Sequence, residues 1–176
     1  IRVENLDQWL LITYYLELPI VRFISTRGIS ESCTFEDAVL TWLAPYGCLY
    51  VPEELPDFSV DTISSWSELS YEDLAVNIMY PFVETEISRK SLKEIVKKSY
   101  AGFRNSEIAP MLEFQNNSWI MELFHGPTLA FKDFALQFLG NLLDHMVESR
   151  KEKLLVLGAT SGDTGSAAIE GCQGCQ

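Results

Sequence analysis

The sequence predicts an α/β chain: a mainly helical first part, then the start of a parallel-sheet body. Three observations carry this. Between about residues 29 and 105 apolar residues fall at helical spacing behind Ser and Thr caps. Lys153-Leu-Leu-Val-Leu157 is an unbroken apolar run, as in a parallel strand buried on both faces. From Trp119 to Glu170 the order is strand, helix, strand, glycine loop, helix, the βαβα pattern of a parallel sheet.

Taken in order, residues 1–20 carry no clear period and stand as an unassigned extension. Arg22-Phe-Ile-Ser-Thr-Arg-Gly28 is a short β-type run ending in a glycine turn. Thr34 caps a helix to Leu43, with Asp37 three residues on and Phe35, Val39, Leu40 and Leu43 on one face. Gly47 to Pro52 is a turn, a short strand and a stop. Ser70 caps a helix to Met79. Ser91–Tyr100 forms another, with Leu92, Ile95 and Val96 opposite its lysines. Trp119–Phe124 reads as a strand and His125–Thr128 as a turn. Phe131–Val147 is a helix with a clean 3.6-residue period. Gly158–Gly165 is a glycine-rich loop, and Ser166–Glu170 begins a last helix. The division expected is an extension at 1–20, a helical domain at 21–105 and the first part of an α/β domain at 106–176. Two clear strands do not complete a parallel sheet, so the chain is expected to be an N-terminal fragment.

Composition excludes several classes. Thirteen basic residues against 25 acidic ones, a net charge of −12, cannot build the cationic surface that nucleic acid or an anionic membrane requires. The apolar stretch Trp9–Val21 is interrupted by Glu17, too short for a bilayer, and lacks signal-peptide flanks. The four cysteines are too few and scattered for a disulfide framework and read as reduced thiols of a cytoplasmic protein. Cys172-Gln-Gly-Cys175 reads as a coincidental pair, and no metal site is expected, because zinc needs about four ligands and no second pair exists.

Two places can carry chemistry. In Glu122-Leu-Phe-His-Gly-Pro-Thr-Leu-Ala-Phe-Lys-Asp-Phe-Ala135, Pro127 or Thr128 is placed to start the helix, which puts Lys132 in or near its first turn. The helix field and the apolar neighbours Leu129, Phe131 and Phe134 disfavour an ammonium there. Only a neutral amine attacks an aldehyde. On this evidence alone a surface lysine pairing with Asp133 or Glu122 is the commoner case. In Thr160-Ser-Gly-Asp-Thr-Gly165, glycines between a strand and a helix let N–H groups converge on an anion, with Thr160, Ser161 and Thr164 adding hydroxyls. Neither nucleotide fingerprint fits it. A ligand-free strand-to-helix connection is as good a reading. His125 suits a phosphate or cofactor contact or a turn hydrogen bond equally, and His145 is assigned no role.

Together, residues 122–135 and 158–169 resemble the threonine synthase family, and Phe23–Gly28, Phe35–Ala38 and Gly47–Glu53 agree with its opening. The resemblance covers about residues 21–176. It implies a helical N-terminal domain before a fold-type II body that uses pyridoxal 5'-phosphate (PLP). By resemblance, Lys132 binds PLP as an imine and moves protons at the α and β carbons of O-phosphohomoserine. Phosphate leaves from the γ carbon and water adds at the β carbon, giving L-threonine. Phe131 and Asp163 are implied cofactor contacts, Asp163 facing the phenolic oxygen side or a neighbouring donor. Thr160, Ser161, Gly162 and Thr164 are implied to receive the substrate carboxylate. Tyr46-Gly47-Cys48 departs from the family's usual Asp-Gly-Gly, away from the expected site. Val21 stands where the family's first Met falls, so 1–20 reads as upstream sequence. The family's loop for the PLP phosphate is expected beyond Gln176, so catalysis by these residues alone is not expected. A related phospho-lyase that gives 2-oxobutyrate, or a truncated non-catalytic chain that binds a partner, shares the same features. Oligomeric state is not legible.

Overall fold

Strand β1 (Phe23–Ser25) and strand β2 (Tyr50–Pro52) pair antiparallel, Phe23 opposite Pro52 and Ser25 opposite Tyr50. Gly28 closes the turn after β1 at φ 65°, with its N–H on the Ser25 carbonyl at 2.8 Å. That left-handed conformation suits the glycine expected there. The computed structural model describes residues 21–28, 31–151 and 153–175; the extension at 1–20 lies outside the described residues. The chain divides into two compact units. One takes in the described residues up to Asp57 together with Pro81–Glu86, and the other holds Phe58–Tyr80 and the described residues from Ile87 onward.

In the first unit, helix α1 (Phe35–Thr41) starts where its cap signal places it, with the Thr34 hydroxyl accepting from the Asp37 N–H at 3.2 Å. The Phe23 and Phe35 rings meet at 5.7 Å. Helix α1 stops short of Leu43 because Trp42 turns to φ 63°.

The first three helices to begin in the second unit have starts marked by serine. Ser59 caps helix α2 (Val60–Ser65), which periodicity does not reveal because it is under two turns long. The Ser70 hydroxyl accepts from the Asp73 N–H at 3.2 Å and opens helix α3 (Tyr71–Val83). Helix α3 runs past the expected end and includes Pro81. Ser88 caps helix α4 (Arg89–Tyr100), two residues earlier than expected. Its predicted inner face holds, with Leu92, Ile95 and Val96 buried.

Strand β4 (Ser118–Met121) lies within the expected strand, yet it pairs antiparallel with an unexpected strand β3 (Met111–Gln115). Asn117 supplies the left-handed residue of their short turn, φ 59°. Helix α5 (Asp133–Arg150) packs Leu142, Leu143 and Met146 inward, and helix α6 (Asp163–Gly171) packs against it. Residues 153–157 differ from expectation. They carry no strand, and Leu155 and Leu157 are 85% and 92% exposed. A parallel strand exists only by hydrogen bonding to neighbours, and the described residues provide none beside this run. Among the described residues no helix is long and apolar enough to cross a membrane.

Rings of Tyr71, Tyr100, Phe103 and Phe134 pack edge to face beneath the start of α5. Tyr100 donates its hydroxyl to the Phe134 carbonyl at 3.1 Å. Burial, helped by the adjacent Tyr71, pushes the Tyr100 phenol well above its ordinary range. Unfolding releases it to ionise near pH 10. Above that pH the unfolded chain binds fewer protons than the folded one, so stability falls as pH rises. Urea midpoints taken between about pH 9 and 11 should therefore decline, and Tyr100→Phe should flatten the decline while costing about 1 kcal/mol at neutral pH.

Candidate functional site

The turn Gly126–Lys132 joins the β3–β4 hairpin to α5. The helix begins at Asp133, later than the Pro127 or Thr128 start expected, so Lys132 stands at the cap position and makes no capping bond. The reason is Asp133. Its buried carboxylate accepts the Thr128 N–H at 2.9 Å and the Thr128 hydroxyl at 2.8 Å, which folds the preceding residues back as a turn. Gly126 must be glycine for this, because a Cβ there would lie 2.7 Å from the Asp133 Cγ. Leu129, at φ 64°, completes the turn with its N–H on the Gly126 carbonyl.

Lys132 therefore does not pair with Asp133 or Glu122. Its Nζ lies 3.8 Å from the Asp163 Oδ2 and 4.6 Å from the centre of the Phe131 ring. Both contacts suit a cation. Glu122 is engaged elsewhere, with its Oε2 2.6 Å from the His125 Nε2. His125 thus has the turn-stabilising partner that was one of its two readings.

Asp163 is the first residue of α6, three residues earlier than the helix start expected at Ser166. Gly162 precedes it at φ 148°, a conformation open only to glycine. The Thr160 hydroxyl oxygen accepts the Gly162 N–H at 3.1 Å and the Gly165 N–H at 3.0 Å, so the loop is folded onto this side chain. Its own proton is still available to donate. Ser161 and Asp163 are exposed on the outside of the loop.

Lys132 and Thr164 share the wall of an open cavity of about 570 Å³ that is mainly apolar, with Met121, Leu123, Phe131 and Phe134 among its lining. The structure thus brings Lys132, Phe131, Asp163 and Thr164 together, and Thr160 and Gly162 shape the loop behind them. Missed by the sequence reading are Asp133 and Gln137, which tie the turn to the helices, and Gly140 and Gly171, where α5 and α6 touch. All four cysteines are free. Burial pushes the Cys175 thiol up, the opposite of a redox pair, and its Sγ packs against the Gly140 and Gly171 carbonyls at 3.6 and 3.7 Å. Among the described residues no group of three side chains could hold a metal.

A hairpin, a lysine-bearing turn, a helix and a glycine loop opening a second helix are arranged as in the N-terminal region of fold-type II enzymes. This chain superposes on the PLP-bound threonine synthase of Brucella melitensis with a TM-score of 0.86 at 40% identity, covering 89% of this chain and 34% of that one. It superposes on yeast threonine synthase at 0.82, with 40% identity and the same coverage. Residues 22–100 match the family model for the threonine synthase N terminus. Threonine synthase of Pseudomonas aeruginosa is 52% identical over 155 residues, which is 88% of this chain and 33% of the relative. The chain belongs to the threonine synthase family, and it spans about a third of the length of the curated relatives it matches.

Proposed function

We propose that this chain supplies the lysine-bearing part of a PLP enzyme that converts O-phospho-L-homoserine and water to L-threonine and phosphate. The observation that carries this reading is the Lys132 amine on the wall of an apolar cavity, 3.8 Å from the carboxylate that opens α6. The residues fit the cofactor: a planar ring suits the aromatic and aliphatic walls, and Lys132 is the amine that reaches it. When bound, PLP supplies an electron sink for charge developing at the substrate's α carbon.

The chain's own residues do the rest. Lys132 holds the cofactor and moves protons at the α and β carbons through its Nζ. Phe131 covers one side of that amine. Asp163 holds the ammonium whenever Lys132 is released, which keeps it aimed at the cavity. Thr160, Ser161, Gly162 and Thr164 form the receptor for the substrate carboxylate, where the α6 N-terminus favours negative charge. The apolar walls offer the cofactor ring surfaces to pack against, with Phe131 and Phe134 among them. We place the protein in the cytoplasm, where its free thiols stay reduced. The 52% identity to a threonine synthase favours the synthase outcome.

The test is product analysis. The intact protein, supplied with PLP and O-phosphohomoserine, should release phosphate and L-threonine in equal amounts. Release of 2-oxobutyrate with phosphate would make it a phospho-lyase, and no phosphate release would remove the catalytic reading.

A further inference from the structure

We infer that Asp133 and Gln137 form a positioning clamp that holds the Lys132 turn in register with the 160–165 loop; this rests on the reading of Lys132 as the cofactor lysine. Asp133 is fully buried, and Gln137 is 7% exposed one turn further along α5. The Asp133 carboxylate accepts three hydrogen bonds: the N–H and hydroxyl of Thr128, and the Gln137 Nε2 at 3.3 Å. The same Gln137 Nε2 donates to the Ala167 carbonyl of α6, also at 3.3 Å. A continuous polar chain therefore runs from the turn before Lys132, through α5, to the helix that begins at Asp163.

The chemistry of this chain exceeds what a helix start needs. Helices α1, α2, α3 and α4 are each opened by an exposed Thr or Ser hydroxyl. Such a cap contributes modestly and buries no charge. At α5 the cap position is Lys132, without a capping bond, and a carboxylate is instead buried and turned back onto the turn. Burying a carboxylate is strongly unfavourable until its partners offset the lost hydration. The turn it grips is itself strained, with Leu129 in the left-handed region, and a strained turn persists only when its surroundings hold it. What this arrangement fixes is the place of Lys132 relative to Asp163 and the loop.

Two variants test it in the intact protein loaded with PLP. Asp133→Asn keeps the shape and one acceptor, but sets an amide donor against the donors of Thr128 or Gln137. Gln137→Met keeps the volume and removes the bridge to Ala167. Three readouts are compared with wild type: circular dichroism, borohydride trapping of PLP with the modified residue located by mass spectrometry, and kcat and KM for O-phosphohomoserine. The clamp predicts folded variants still trapped at Lys132, with kcat lowered about tenfold to a hundredfold and KM changed far less, because small misplacements of a reacting group carry losses of that size. A merely structural role lowers the melting temperature and leaves kcat of the folded protein within about twofold, and that result overturns the clamp. If Asp133→Asn does not fold, Gln137→Met decides by the same criterion. Absence of trapping at Lys132 in wild type would instead overturn the reading of the lysine itself.

Discussion

Gly140→Ala will separate helices α5 and α6 and remove about 3 kcal/mol of stability, toward the upper end for overpacking a closed contact. A Cβ on Gly140 falls on the Gly171 carbonyl oxygen and 2.5 Å from its carbon. Gly171 is bound in the same way, since its own Cβ would meet the Leu136 carbonyl, 2.9 Å from the carbon. Both obstacles are backbone, so no side chain can rotate away, and the helices must move apart. Movement there breaks the Gln137 contact to Ala167 and the Cys175 packing at the same crossing. The expected fall in melting temperature is roughly 6–12 °C for a chain of this size. Gly102→Ala is the control, because nothing lies within 4 Å of its Cβ. Equal melting temperatures for the two variants would show that the crossing relaxes at no cost. The same change also acts on function, because α6 carries the loop that faces Lys132.

Which features were legible in the sequence follows from how local their causes are. Thr34 and Ser70 announce helices because a cap is decided within four residues, and the inner face of α4 is announced by its own period. The hairpin was legible in principle: Asn116-Asn117 between two apolar runs is a weak form of a two-residue turn signal, and reading only Trp119–Phe124 as a strand passed over it. Residues 153–157 have the composition of a buried strand, but a strand's burial and pairing belong to its neighbours. Composition alone cannot supply those. The late start of α5 was hidden for a similar reason. Asp133 beside Lys132 reads as a surface ion pair, and nothing local tells that its carboxylate turns inward to Thr128 and Gln137. The close approach of Gly140 to Gly171 is a tertiary fact as well. The nearness of Lys132 to the glycine loop was reached through family resemblance and not through period or spacing, and the 3.8 Å contact with Asp163 now gives it a geometry.

Lys132→Arg is the substitution that separates a cofactor lysine from a surface ion pair. Arginine keeps the positive charge, can retain the contact with Asp163 and stacks on an aromatic face such as Phe131 at least as well as lysine. It stays protonated and is no nucleophile, so it cannot capture an aldehyde. If Lys132 only pairs with Asp163, Lys132→Arg leaves stability and activity unchanged. If Lys132 holds PLP and moves protons, the variant folds normally, shows no borohydride-trapped PLP at position 132, and loses activity by at least about 10³-fold, the scale of removing a nucleophile and acid–base group. Lys132→Ala should match it in activity. Its stability should differ by less than about 1 kcal/mol, because Asp163 is largely exposed and such pairs contribute little. An equal loss of activity in the two variants, with only one of them keeping the charge, would place the role of Lys132 in its amine, since the charge that satisfies Asp163 would not by itself sustain the reaction.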